Sequence, residues 1–175
     1  IDKFVPSAPF PAEDMLNEIY GYAERIDNDE IRKLVIRLLN DKKEKLIYYP
    51  AAKSLHHSIR SGLLYHILRM LRVSEKLKEI YDGINLDLLY AGVLIHDLAK
   101  IGELESNELG ISEYSKEGQL LGHIIMGICE IDRIGNELGI SSEVMLLLKH
   151  MIASHHYEAE YGSPKKPMFL EAELL

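Results

Sequence analysis

Apolar residues recur at helical spacing along most of the chain, and alternating strand-like patterns are absent. From Pro11, which fits a first helical turn without losing a hydrogen bond, Met15, Ile19, Tyr20 and Tyr22 or Ala23 are spaced for one apolar face. Ile31, Leu34, Val35, Leu38 and Leu39 form a stripe at i, i+3, i+4, i+7, i+8. That stripe predicts a helix from Asp29 to about Lys43, with Asn28 or Asp29 as its cap. Pro50 then punctuates LIYYPAAKSLHH. A third helix is expected from about Ser58 to Leu77, carrying Leu63, Leu64, Ile67, Leu68, Leu71 and Val73. A fourth starts at Asn85 and runs NLDLLYAGVLIHDLAK to Lys100, before a loop with Gly102, Asn107 and Gly110. A fifth covers about Lys116 to Leu138 and stops at Gly139, a natural residue just past a helix end. A sixth covers about Ser142 to Ser154, and a last one begins near Met168 after the loop YGSPKKP. The expected fold is all-α, compact and multi-helical. The helices are too uneven in length for a simple up-down bundle.

Composition narrows the class. The chain has 175 residues, enough for one domain with a sizeable core. The first ten, IDKFVPSAPF, contain two prolines and little period, and read as an arm or a linker from something upstream; residues 11–175 form the domain. The single cysteine, Cys129, excludes a disulfide within the chain. Its apolar neighbourhood, GHIIMGICEI, predicts a buried, inert thiol. No apolar run reaches the roughly 20 residues needed to span a bilayer, and no basic-then-apolar leader opens the chain. These features lead us to expect a cytoplasmic location and no membrane partner. Twenty basic against 28 acidic residues give a net charge of −8, which argues against gripping nucleic acid with the whole surface.

The chemistry lies in the histidines. All eight fall between His56 and His156. His96-Asp97 sits near the end of the most apolar helix. Neighbouring residues on a helix point about 100° apart, so both reach one ion only where the ion lies close to a helix end. His66 lies one predicted helix earlier, His123 one later, and His155-His156 close the sixth. Imidazoles among apolar neighbours are costly to bury unless hydrogen-bonded or ligated. Five of them with one carboxylate favour a metal centre. This donor set suits Mn, Fe, Co, Ni or Zn. His150, five residues before His155, is poorly spaced to share its face and reads as structural or supporting. Tyr48-Tyr49 and Tyr157 with Tyr161 read as core or rim packing, with base stacking as the alternative.

The order H…HD…H…HH resembles that of the HD-domain superfamily of metal-dependent phosphohydrolases. Longer stretches are similar to the HD domain of YhaM-type 3′–5′ exoribonucleases, the CMP-binding-factor family. They are PAAKSLHHSIRSGLLYHIL, LLYAGVLIHDLAKIGEL, EYSKEGQLLGHIIMG and LLLKHMIASHHYEAEYGSPKKPMFLEAELL. FVPSAPFPAEDML resembles the linker into that domain. The chain has HDLAK where the family often has HDIGK, and Tyr157 where glycine commonly follows the histidine pair. The aspartate that closes the family pattern would lie just beyond Leu175, and the family's N-terminal OB-type domain is absent. The expectation is a piece of a longer protein.

The resemblance implies an HD-domain fold and one or two divalent ions, with Mn preferred and Fe, Co, Ni, Zn or Mg as alternatives. His66, His96 and Asp97 would hold the first ion. Asp97 would bridge to the second, held by His123, His155 and His156. A metal-activated hydroxide would attack phosphorus, with Asp97 and Lys100 as the catalytic residues. Lys53, His56, His57, Arg60 and Lys165 flank the ligand segments and are expected to contact substrate. The implied substrate is RNA or an oligonucleotide cut from its 3′ end. The alternatives are a small-nucleotide or cyclic-dinucleotide phosphohydrolase, and a non-catalytic module that senses a nucleotide or mediates assembly. A homo-oligomer is also compatible with the sequence.

Overall fold

The computed structural model describes residues 7–50, 59–106 and 112–175. α1 (Ala12–Glu24), α2 (Asp29–Leu46) and α3 (Gly62–Ile80) come first. Their buried residues are the apolar stripes of the sequence: Met15 and Ile19 on α1, Leu34, Val35 and Leu38 on α2, Leu64, Ile67 and Leu71 on α3. Asn28 caps α2, its side chain accepting a hydrogen bond from Ile31 N at 3.0 Å, worth about 1 kcal/mol.

α4 (Leu86–Ile95) is the central helix. Every residue from Leu88 to Ile95 is buried, as expected for a helix that is apolar all round. It packs against α1, α2, α3, α7 (Ser142–Ser154) and α8 (Leu170–Leu174). Its first turn fixes the start of α2, because the Asp87 carboxylate accepts from Asp27 N and Asn28 N at 3.0 and 2.9 Å.

Three findings differ from the sequence expectation. The fourth helix does not run through to Lys100. It ends at Ile95, and the short α5 (Lys100–Glu103) follows a turn over residues 96–99. His96 N still donates to Gly92 O, but Leu98, Lys100, Ile101 and Gly102 donate to carbonyls only three residues back. That tightening is a 3₁₀-type turn, and it occurs at the His-Asp pair. The second difference is a hairpin of β1 (Leu104–Ser106) and β2 (Ser112–Tyr114), antiparallel with Glu105 opposite Glu113. Three-residue strands are too short to display alternation. Tertiary contacts hold the hairpin instead: Leu104 is buried, and the hydroxyl of buried Tyr49 donates to the carbonyls of Ile101 and Leu104.

α6 (Lys116–Leu138) is the longest helix and ends at Gly139 in the left-handed region, φ 68°. The thiol expectation fails here, because Cys129 is exposed. Gly127 and Ile131 are buried and share a face at i, i+4, and residue 129 points about 200° away from both. No helix among the described residues is long and apolar enough to cross a membrane.

Candidate metal centre

Four segments converge at the end of α4. α3 supplies His66, the turn after α4 supplies His96 and Asp97, α6 supplies His123, and the end of α7 supplies His155 and His156. His96 and His155 occupy equivalent positions, each just past the last turn of its helix. Each ring bonds through Nδ1 to a carbonyl three residues back, Val93 O at 2.9 Å and Ile152 O at 2.7 Å. A carbonyl only accepts, so Nδ1 carries the proton and Nε2 presents its lone pair to the centre. The same helix-end geometry has been used twice.

Asp97 lies in the middle, 3% exposed. Its two carboxylate oxygens face different imidazoles. Oδ2 is 3.3 Å from His96 Nε2 and 3.6 Å from His66 Nε2. Oδ1 is 3.5 Å from His123 Nε2 and 3.6 Å from His155 Nε2. Within each set the imidazoles are also close, His66 Nε2 to His96 Nε2 at 3.3 Å and His123 Nε2 to His155 Nε2 at 3.4 Å. Asp97 Oδ1 is buried and has no hydrogen-bond partner among the described residues. Leaving such a group unmatched costs about 1–3 kcal/mol. Separations of this size are what donors take when they share an ion at about 2.0–2.2 Å from each. The orphaned oxygen and the imidazole–carboxylate donor set both fit a divalent cation. Two sets qualify: His66, His96 and Asp97; and Asp97, His123, His155 and His156.

Electrostatics favour ligand-ready forms. Burial raises the Asp97 carboxyl, but His96, His155 and Lys100 outweigh it and hold Asp97 well below its ordinary value. Burial lowers His155 and His156, keeping both neutral, as metal ligation requires. Lys100 Nζ donates to Asp97 Oδ2 at 2.9 Å. Across the 3₁₀ turn the partner of Lys100 is thus Asp97, three residues back.

The sequence reading missed Glu103. Its Oε1 accepts from His123 N at 3.0 Å, and its carboxylate lies 3.1 and 3.2 Å from His123 Nδ1. α6 makes this possible by breaking at Gly122, φ 71° and ψ 162°, a conformation open to glycine at little cost. The break frees His123 N to reach sideways. Burial raises the Glu103 carboxyl, but its bonds to His123 bring it below the usual carboxylate value. Gly122 next to His123 inside an apolar helix was the signal in the sequence that could have pointed to Glu103. His156 is held in the same manner, its Nδ1 against Tyr161 O and its N donating to Ser163 Oγ at 3.0 Å.

The remaining candidates fall elsewhere. Arg60 is exposed, and its carbonyl accepts from Ala8 N at 3.0 Å. Lys165 is exposed, near enough to His150 to help burial lower that imidazole. The contacts joining the cluster include neither residue. Lys53, His56 and His57 lie outside the described residues. His150 is structural: it accepts from Met168 N at 3.0 Å and packs on Phe169, fixing the approach to α8.

Comparison with known proteins agrees with this geometry. A family model described as the HD domain matches residues 63–175. The chain belongs to the HD-domain family. The matched range includes all six residues of the cluster. The HD domain here is 44% identical to the 3′-5′ exoribonuclease YhaM of Geobacillus sp. (strain WCH70), over all of this chain and 53% of that protein. The YhaM proteins of Bacillus subtilis (strain 168) and Halalkalibacterium halodurans are each 42% identical, again over the whole chain and 55% and 54% of their own lengths. The chain spans about half the length of the curated relatives it matches. No solved structure matches.

Proposed function

We propose that this HD domain is the catalytic unit of a phosphodiesterase that cuts RNA from its 3′ end. The observation that carries the reading is Asp97, one buried carboxylate whose two oxygens each face a separate pair of imidazoles. A carboxylate so placed could be shared by two ions. In this reading His66, His96 and Asp97 hold one ion, and Asp97, His123, His155 and His156 hold the other. The chemistry divalent ions supply at such a site is polarisation of a phosphoryl oxygen and acidification of water. Manganese is the metal this reading takes, with Fe, Co, Ni, Zn or Mg as alternatives.

The chain's own residues do the positioning. Val93 O, Ile152 O and Glu103 fix the tautomers of His96, His155 and His123, so their Nε2 atoms stay available. Buried Asp97 remains ionised because His96, His155 and Lys100 outweigh its burial. Lys100 Nζ lies beside Asp97 Oδ2, where its charge can attract a phosphate and stabilise a departing oxyanion. RNA as substrate is supported by the 41–44% identity to the YhaM proteins.

The test is direct. Protein loaded with Mn²⁺ should shorten an oligoribonucleotide from its 3′ end, and Asp97→Ala should not. Equal background rates for both would sink the catalytic reading. Release of product from the 5′ end, or turnover of mononucleotides alone, would replace the substrate assignment.

A further inference from the structure

The residue after the histidine pair is conformationally out of place. Tyr157 has φ 62°, in the left-handed region that side chains other than glycine and asparagine rarely adopt. Such strain persists only where the surroundings over-determine it. Here they do. Tyr157 N donates to Ser154 O, and Glu158 N donates to His156 O. His156 itself is pinned by Ser163 and Tyr161. Tyr157 is nonetheless 45% exposed, so core packing does not explain the residue.

Its location does. Tyr157 directly follows His156, whose ring lies 4.2 Å from that of His155 and 5.1 Å from that of His123. Consecutive Cα atoms are about 3.8 Å apart, so the Tyr157 backbone lies next to that of a member of the cluster. Lys166 Nζ lies 5.0 Å from the ring centroid, and its Glu158 partner is at 3.8 Å with both side chains more than half exposed. An exposed ring with a loosely paired cation over one face has the chemistry to take a base on the other and a phosphate at the cation.

We propose that Tyr157 is a stacking platform for one base of a nucleotide strand whose phosphate lies at the Asp97 centre, with Lys166 contacting the neighbouring phosphate. The assignment rests on the phosphodiesterase reading above and names the subsite that would recognise the strand.

Binding separates the two. Anisotropy of a labelled short oligoribonucleotide with phosphorothioate linkages, titrated with the full chain in Mn²⁺, reads affinity without turnover. Tyr157→Gly should weaken binding by about 5- to 100-fold, the range one stacked base supplies. Its melting temperature should stay level or rise, by up to about 3 °C, because glycine adopts this φ freely. Tyr157→Leu should weaken binding like glycine, and Tyr157→Phe should restore it to within twofold. A strand abasic at the bound nucleotide should lose its sensitivity to Tyr157→Gly. Equal affinity of wild type and Tyr157→Gly, including no binding by either, overturns the proposal. So does weaker binding accompanied by a clear drop in melting temperature, the signature of a packing residue. Failure of the wild type to cleave an unmodified strand would instead strike the phosphodiesterase reading.

Discussion

The two halves of the centre are built differently. The His66 half rests on α3 and the turn after α4, and His66 is 34% exposed along its side chain. It borders a cavity of about 430 Å³ shared with Tyr65, Arg69 and Val73. The His123 half is closed, with the His123 and His155 side chains 10% and 4% exposed. It draws on α5, α6, α7 and the loop at residues 161–163, and each imidazole is held from behind by an oxygen of another group. One half is therefore preorganised, with its reorganisation cost met during folding. In the other, His96 is held likewise by Val93 O, and His66 is the more exposed imidazole. Preorganisation of this kind raises ligand affinity by reducing what must be ordered on binding.

The largest way to break this comparison is Asp97→Ala, which removes the shared ligand. Phosphodiester cleavage should fall by about 10³-fold or more, and elemental analysis should show loss from both halves. Retention of one full equivalent of metal would show that Asp97 does not bridge. Next is Gly118→Ala. A Cβ there would meet Glu103 O at 2.1 Å, a backbone atom that cannot step aside. We expect a loss of about 3 kcal/mol, read by denaturant unfolding, with the His123 half disturbed through Glu103. A smaller change sharpens the contrast. Glu103→Ala should weaken Mn²⁺ binding in the His123 half by about 10- to 100-fold and leave the His66 half unchanged, as two resolved isotherms in calorimetry. Equal losses in both would erase the distinction.

The smallest effect is that of pH on chelated protein. His155 and His156 have folded values below the ordinary 6.5. The unfolded chain therefore binds more protons as pH falls below about 6.5, and folding stability declines with acid. Asp97, with its folded value below 3.8, adds stability that is lost only under stronger acid. The melting temperature should drop between pH 7.5 and 5.5, and a rise on acidification would contradict the closed His123 half.

Much of this was legible along the chain because it is local. The stripes of α1, α2 and α3 are runs of apolar residues at helical spacing, and they are the buried faces except at Val73, which is exposed. Asn28, Asn85 and Gly139 sit where caps were expected, since capping links residues only three or four apart. The six residues read as donors came from residue type and family order. The hairpin was not legible, because its pairing is held by Tyr49 from more than fifty residues away. Cys129 was misread because an apolar composition does not say which way one side chain points.

The sequence by itself determined which segments are helical, where most of them start and stop, and which side chains are donors suited to a metal. Those properties depend on spacing within a few residues. Only the tertiary structure decided that the α4 helix tightens at His96, that Asp97 turns one oxygen to each pair of imidazoles, and that Glu103 reaches His123 across the break at Gly122. The contacts of Asp97 with His66, His123 and His155, and of Glu103 with His123, join residues 20 to 58 apart in the chain, and packing around the buried α4 brings them together.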